Sequence, residues 1–170
     1  MRIRLARTDD LPVLQDIERA AGAPFRELGM DAVADDAPPT IEQLTEFHEA
    51  GRAWVIADES DRPVAYVLLD VVDGFGHVEQ VSVHPHHARR GLGRRLVDAA
   101  SDWAYEHGLA GLTLTAYTDV PWNAPYYRRL GFRDLADEEM PDGLRAIRRR
   151  EAEHGLDAWP RVAMVKLHVN

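Results

Sequence analysis

Apolar residues recur along this chain at two different periods, and the change of period marks its elements. Leu11, Leu14, Ile17 and Ala21 stand three or four apart, the spacing of one helix face. Ahead of them Arg2 to Arg7 read as a short strand. Thr8 stands where an N-cap would, with Asp9 and Asp10 in the first turn, where carboxylates suit the helix dipole. From Arg26 to Pro39 the periodicity is lost. This stretch is acidic, is broken by Asp-Asp and Pro-Pro, and predicts an irregular segment. Thr40 followed by Gln43 is a capping-box signature for a second helix, Ile41 to Ala50.

The period then drops to two. "AWVIADES" and "PVAYVLLDVV", separated by the turn-like "DESDRP", predict an antiparallel hairpin, and "GFG" predicts the next turn. In "HVEQVSV", His77, Glu79, Val81 and Val83 share one face, and Val78, Gln80 and Ser82 the other. Gly91 opens a long helix striped by Leu92, Leu96, Ala99, Ala100 and Trp103, and Gly108 closes it. "LTLTAY" predicts a strand. "NAPYYRRLG" predicts a short helix with Asn123 as N-cap, "PDGLRAIRRREAEHG" a longer one, and "RVAMVKLHV" a last strand. Hairpins mixed with strand–helix–strand crossings predict an α/β (α+β) fold: a mixed, mostly antiparallel central sheet of six to seven strands with helices on both faces. No repeat or linker divides the chain, so residues 1–170 are expected to form a single domain.

Composition narrows the function classes. The 170 residues include no cysteine, which removes disulfides, thiolate metal sites and a cysteine nucleophile. "MRIRLARTDD" has no apolar core of a signal peptide, and nothing approaches the ~20 apolar residues of a membrane span. The expectation is a cytoplasmic protein that does not engage a membrane. The net charge of −9 argues against nucleic acid as a partner, so an anionic ligand needs a local device.

"VSVHPHHARRGLGRRLV" supplies one. The turn sets the backbone N–H groups of about residues 89 to 94 at the start of the long helix, where unpaired donors and the dipole favour an anion. Gly91 and Gly93 let phosphate oxygens approach the backbone without meeting a Cβ. Arg89, Arg90, Arg94 and Arg95 reverse the local sign of charge. The spacing is neither that of a dinucleotide fingerprint nor of a P-loop.

Taken with "NAPYYRRLGF", this segment resembles the GCN5-related N-acetyltransferases. Their central motif is an apolar-x-apolar strand, then (Gln/Arg)-x-x-Gly-x-(Gly/Ala), then a helix. Here it reads Ala88-Arg89-Arg90-Gly91-Leu92-Gly93, with Ala88 departing from the usual Gln or Arg. The element order agrees along most of the chain, but about Asp137 to Trp159 lies outside the common core. The resemblance implies acetyl-coenzyme A as cosubstrate and no metal. Its pyrophosphate would lie on the N–H groups of Arg89, Arg90, Gly91, Leu92, Gly93 and Arg94, and its pantetheine arm along Val81, Ser82 and Val83.

The implied reaction is direct acetyl transfer to an amine in a ternary complex. Tyr127, in "YRRLGF", is then the proton source for the leaving thiolate, and the Val83 N–H the oxyanion donor. Glu79 is the first choice of base and His77 the second. Either could instead bind the ammonium or make a cross-strand pair. Asn123 is closer to the tyrosine than the family's usual asparagine, and either contacts the coenzyme or caps the helix. The plain alternative for Tyr127 is a packing aromatic.

Other features are weaker. Pro85 interrupts "HPHH", which has no acidic or cysteine partner at ligand spacing. In "RAIRRRE", Arg149 and Glu153 stand at i,i+4, the mark of a solvated face. Glu27, Asp31, Asp35 and Asp36 would draw a cation to the acceptor groove. The leading acceptor is therefore a small cationic molecule with a primary amine. A protein N-terminus or lysine is the second choice, and a non-catalytic coenzyme A-binding sensor is the other class. A homodimer through an exposed strand edge stays open.

Overall fold

The computed structural model describes residues 1–168, so Val169, at the end of the expected last strand, lies outside the described residues. In chain order the elements are β1 (Arg2–Leu5), α1 (Leu11–Gly22), α2 (Asp31–Ala34), α3 (Ile41–Glu49), β2 (Ala53–Ala57), β3 (Pro63–Val72), β4 (Phe75–Val83), α4 (Leu92–Glu106), β5 (Gly111–Tyr117), α5 (Ala124–Arg129), β6 (Arg133–Leu135), α6 (Asp142–Glu153) and β7 (Arg161–Leu167). The strands form one seven-stranded sheet in the order β1-β2-β3-β4-β5-β7-β6. β4 and β5 pair in parallel, at Gly76↔Leu112 and His77↔Thr113, whereas β1–β2, β2–β3, β5–β7 and β6–β7 pair antiparallel. The expected mixed, mostly antiparallel fold is thus the observed one.

The chain divides into two compact units, one of residues 1–70 and 79–99, the other of 71–78 and 100–170. In the first, Leu11, Leu14 and Ile17 of α1 and Leu44 of α3 pack with Val55, Tyr66 and Leu68 of the sheet. Every residue from Val64 to Leu69 is buried, so both faces of β3 are covered and its sequence is apolar without alternation. In the second unit, Leu112, Leu114 and Ala116 of β5, Met164 of β7 and Leu144 of α6 are buried.

Four local readings change. Residues 26–39 are not irregular throughout: Ala23–Leu28 is a 3-10 turn and α2 follows it. Thr8 opens a 3-10 turn that runs into α1, and its first-turn carboxylate Asp10 is buried. Asp10 accepts from the Arg4 guanidinium at 2.7 and 3.2 Å and from the Arg7 N–H at 2.7 Å. The turn after β3 is Asp73-Gly74, with φ of 56° and 78°, the two left-handed residues of a tight hairpin, and Phe75 and Gly76 already belong to β4. The Asp73 carboxylate accepts from the N–H groups of Gly143 and Leu144, at 2.8 and 2.9 Å, and so caps α6. On α6, Arg148 rather than Arg149 carries the ion pairs, with Glu151 and Asp157, while Glu151 also pairs with Arg161.

Burial pulls the Asp10 carboxyl upward, but the hydrogen bonds from Arg4 and the Arg7 backbone outweigh it, and the folded pKa lies below 3.8. A depressed carboxylate contributes stability above its unfolded pKa and loses it as pH falls through the folded one. Asp10→Asn should therefore cost about 2 kcal/mol at neutral pH. The gap from wild type should shrink as the medium is acidified below about pH 4, as read by urea unfolding at a series of pH values.

Candidate active site

The segment after β4 has a backbone suited to anions. Arg89 and Gly91 have φ of 63° and 75°, both left-handed, so the N–H groups around them turn toward one side. For Arg89 that conformation costs about 1 kcal/mol relative to glycine. Among the described residues, the N–H groups of Arg89 through Arg94 donate to no protein acceptor, and the ladder of α4 begins with Arg95 N–H to Gly91 C=O at 3.1 Å. A Cβ built on Gly91 meets nothing within 4 Å, so the space outside the loop is open. Leu92 and Leu96 are buried at 5% and 0% exposure and anchor the helix whose N-terminus faces that space.

Charge agrees with geometry. Ala88, Arg89, Arg90 and Arg94 are exposed, Gly93 is buried, and none of these arginines forms an ion pair among the described residues. Arg90 reaches His87 Nδ1 at 3.5 Å, and Arg95 donates to the Met1 carbonyl at 3.2 Å. His84 Nδ1 accepts from the His86 N–H at 3.1 Å. Burial first, and then the charges of His86 and His87, hold the His84 imidazolium below its usual range. The residues present thus fit a pyrophosphate: unpaired N–H donors, guanidinium groups without ion pairs among the described residues, and open space at Gly91.

The same unit contains Glu79, exposed on β4, then Val81 and Val83, both half-buried, and Ser82, buried at 4%. It also holds a cluster that the sequence reading passed over. Glu18 Oε2 accepts from the Tyr66 hydroxyl at 2.8 Å and from Ser82 Oγ at 2.5 Å, while Gln80 Nε2 donates to Ser82 Oγ at 2.9 Å. Glu18 stands four residues after Leu14 on the core-facing side of α1. A carboxylate beside an apolar stripe was the available signal. In the acidic stretch, Glu27, Asp31, Asp35 and Asp36 are all exposed, and Asp35 is spent on Arg26.

The second unit contains His77, Asn123 and Tyr127. His77 is 2% exposed, and its Nδ1 stands 3.0 Å from Thr113 Oγ1. Asn123 precedes α5 but does not cap it. Its Oδ1 accepts from the Tyr117 N–H at 2.5 Å and ties the helix start to the end of β5. Tyr127 is 8% exposed and packs edge-on against Tyr126 and Phe132, with ring centroids 5.5 and 5.7 Å away. Its hydroxyl has no hydrogen-bond partner among the described residues. Burial first, and then the charge of Tyr126, push its phenol well above 10.0, so it keeps its proton.

Residues 14–132 match the family described as "Acetyltransferase (GNAT) family". The uncharacterized N-acetyltransferase YjcF of Bacillus subtilis (strain 168) is 27% identical over 110 residues, 65% of this chain and 76% of that protein. Among solved structures, N-acetylglutamate synthase from Neisseria gonorrhoeae, complexed with coenzyme A and N-acetyl-glutamate, superposes with a TM-score of 0.71 at 18% identity. That match takes in 99% of this chain but only 35% of the synthase. The PaiA N-acetyltransferase from Thermoplasma acidophilum, in complex with coenzyme A, superposes with a TM-score of 0.70 at 12% identity, over 98% of both chains. At these identities the superpositions show a common fold.

A spectrophotometric pH titration tests the phenol. Tyr127→Phe should leave the tyrosinate absorbance rise between about pH 9 and 11 unchanged, because Tyr127 does not ionise there in the folded protein.

Proposed function

Because this chain belongs to the acetyltransferase (GNAT) family, we propose that it moves an acetyl group from acetyl-coenzyme A directly to the primary amine of a small cationic molecule. The observation that carries this reading is the run of unpaired N–H groups from Arg89 to Arg94, beside arginines without ion pairs. In it, the loop and the arginines hold the pyrophosphate, and the backbone of Val81, Ser82 and Val83 pairs with the pantetheine arm. Bound acetyl-coenzyme A supplies an acetyl group activated as a thioester. Glu79, exposed to solvent, takes the proton from the incoming ammonium, directly or through water. The burial of His77 and its Thr113 contact support giving that task to Glu79. The Val83 N–H stabilises the developing oxyanion, and Tyr127, held protonated, gives its proton to the departing sulfur. Residues 1–170 act as one domain in this reading.

Thermal melting with acetyl-coenzyme A tests it. At 100 times the dissociation constant the ligand adds about 2.7 kcal/mol, a rise of about 5 to 10 °C for a chain of this length. Gly91→Ala should cost the free protein about 1 kcal/mol and abolish the ligand-dependent rise. In a thiol-release assay with amines, Tyr127→Phe should lower kcat about a hundredfold. A melting curve unmoved by millimolar acetyl-coenzyme A would overturn the reading.

A further inference from the structure

The segment between β4 and the anion-binding loop contains His84, His86 and His87, to which acetyl transfer gives no task, and His84 is built into the backbone. It follows Val83 and caps the 3-10 turn Pro85–His87. Its Nδ1 accepts from the His86 N–H at 3.1 Å. A backbone amide only donates, so this nitrogen presents a lone pair, and the imidazole is neutral with its hydrogen on Nε2. The His84 carbonyl accepts from the His87 N–H at 2.8 Å, and its own N–H donates to the Val64 carbonyl of β3 at 2.9 Å. The Ala88 N–H closes the turn on the Pro85 carbonyl at 3.2 Å. Beyond Ala88 the pattern stops: Arg89 turns left-handed and the N–H donors stay unpaired. His84 thus ties the turn through its N–H, its carbonyl and its ring, and only the ring tie can be broken by a proton.

What the turn connects gives that tie a consequence. On the acetyl-transfer reading, on which this inference rests, the Val83 N–H meets the thioester end of the coenzyme and Arg89 to Arg94 its pyrophosphate. Residues 84–88 set the spacing between the two. The groups that face His84 agree with a neutral ring. On its own turn, the His86 and His87 rings lie with centroids 4.7 and 6.3 Å away, and Arg90 reaches His87. β3 meets it at the apolar Val64, and the nearest charged residues along that strand are Arg62, just before it, and Asp70. Burial first, then the charges of His86 and His87, lower its pKa from 6.5, and among the described residues no carboxylate opposes them. We propose that His84 is a positioning residue for the coenzyme loop, and that a proton on its Nδ1 removes the acceptor of the His86 N–H, releases the turn and weakens coenzyme A binding. The sign is that of a depressed base: the ring is neutral and the turn closed at neutral pH, and the tie is lost as pH falls below 6.5. Proton and coenzyme then compete for the loop.

The test measures the dissociation constant of coenzyme A by titration calorimetry at about pH 7.5 and about pH 5.5, either side of the imidazole range, for wild type, His84→Asn and His84→Ala. An asparagine oxygen accepts the same N–H and takes up no proton. Between those pH values wild type should weaken about fivefold to tenfold more than His84→Asn, the worth of one hydrogen bond. His84→Ala has no acceptor and should bind about fivefold to tenfold more weakly than His84→Asn at either pH. The coenzyme phosphates and the other imidazoles are common to all of these proteins, so the differences report position 84. At about pH 6 wild type should also release more protons on binding than His84→Asn, as read in buffers of different ionisation enthalpy, a response that loosening of the turn by itself would not produce. Parallel pH profiles for wild type and His84→Asn, in proteins that melt cooperatively at both pH values, overturn this inference and leave acetyl transfer standing. So does a His84→Ala protein that binds as tightly as His84→Asn. Wild type that binds no coenzyme A at millimolar concentration, at either pH, overturns the inference and the acetyl-transfer reading together.

Discussion

The first turn of an α-helix cannot satisfy its own N–H groups, and the protein treats this constraint differently at different helices. Thr40 and Gln43 close a reciprocal box on α3. Asp73 closes α6 with both carboxylate oxygens. At α4 the preceding residues are histidine, alanine, arginine and glycine, with no hydroxyl or carboxylate in capping position, and the donors stay unpaired. A left-handed arginine is tolerated there as well. An uncapped helix start costs stability unless something outside the chain completes it. The functional reading rests on that difference.

The carboxylates of the first unit illustrate how surroundings assign work to one chemical group. Asp10 is buried against Arg4 and is structural. Asp35 is neutralised by Arg26 at the surface. Glu79 is exposed to water. Glu18 accepts hydrogen bonds from two hydroxyls, those of Tyr66 and Ser82. Composition alone assigns these four the same chemistry; their donors and their burial separate them.

What was legible in the sequence was local. The box at Thr40, the strand Pro63–Val72 and the glycine turn each depend on residues a few positions apart, and each could be read directly. The missed features depend on partners far along the chain. Glu18 meets Ser82 across 64 residues, and Asp73 meets Gly143 across 70. The sequence leaves Asn123 open between capping α5 and contacting the coenzyme, and its amide oxygen satisfies the Tyr117 N–H instead of a cap. That strand end needed an acceptor, a need that no local pattern expresses. The pairing of Thr113 with His77 is of the same kind, since only the sheet register brings the two side chains together.

The cap that Asp73 lends to α6 couples that helix to a distant turn. Pro141, at the helix's own N-cap position, offers no side-chain acceptor, so the first turn of α6 depends on a residue in the β3–β4 hairpin. Isolated twelve-residue helices are marginal in water. Without the Asp73 carboxylate, the Gly143 and Leu144 N–H groups of α6 have no side-chain acceptor among the described residues. The helix in the segment outside the family's common core is thereby tied to the β3–β4 turn, and its first turn is complete only where that turn is formed.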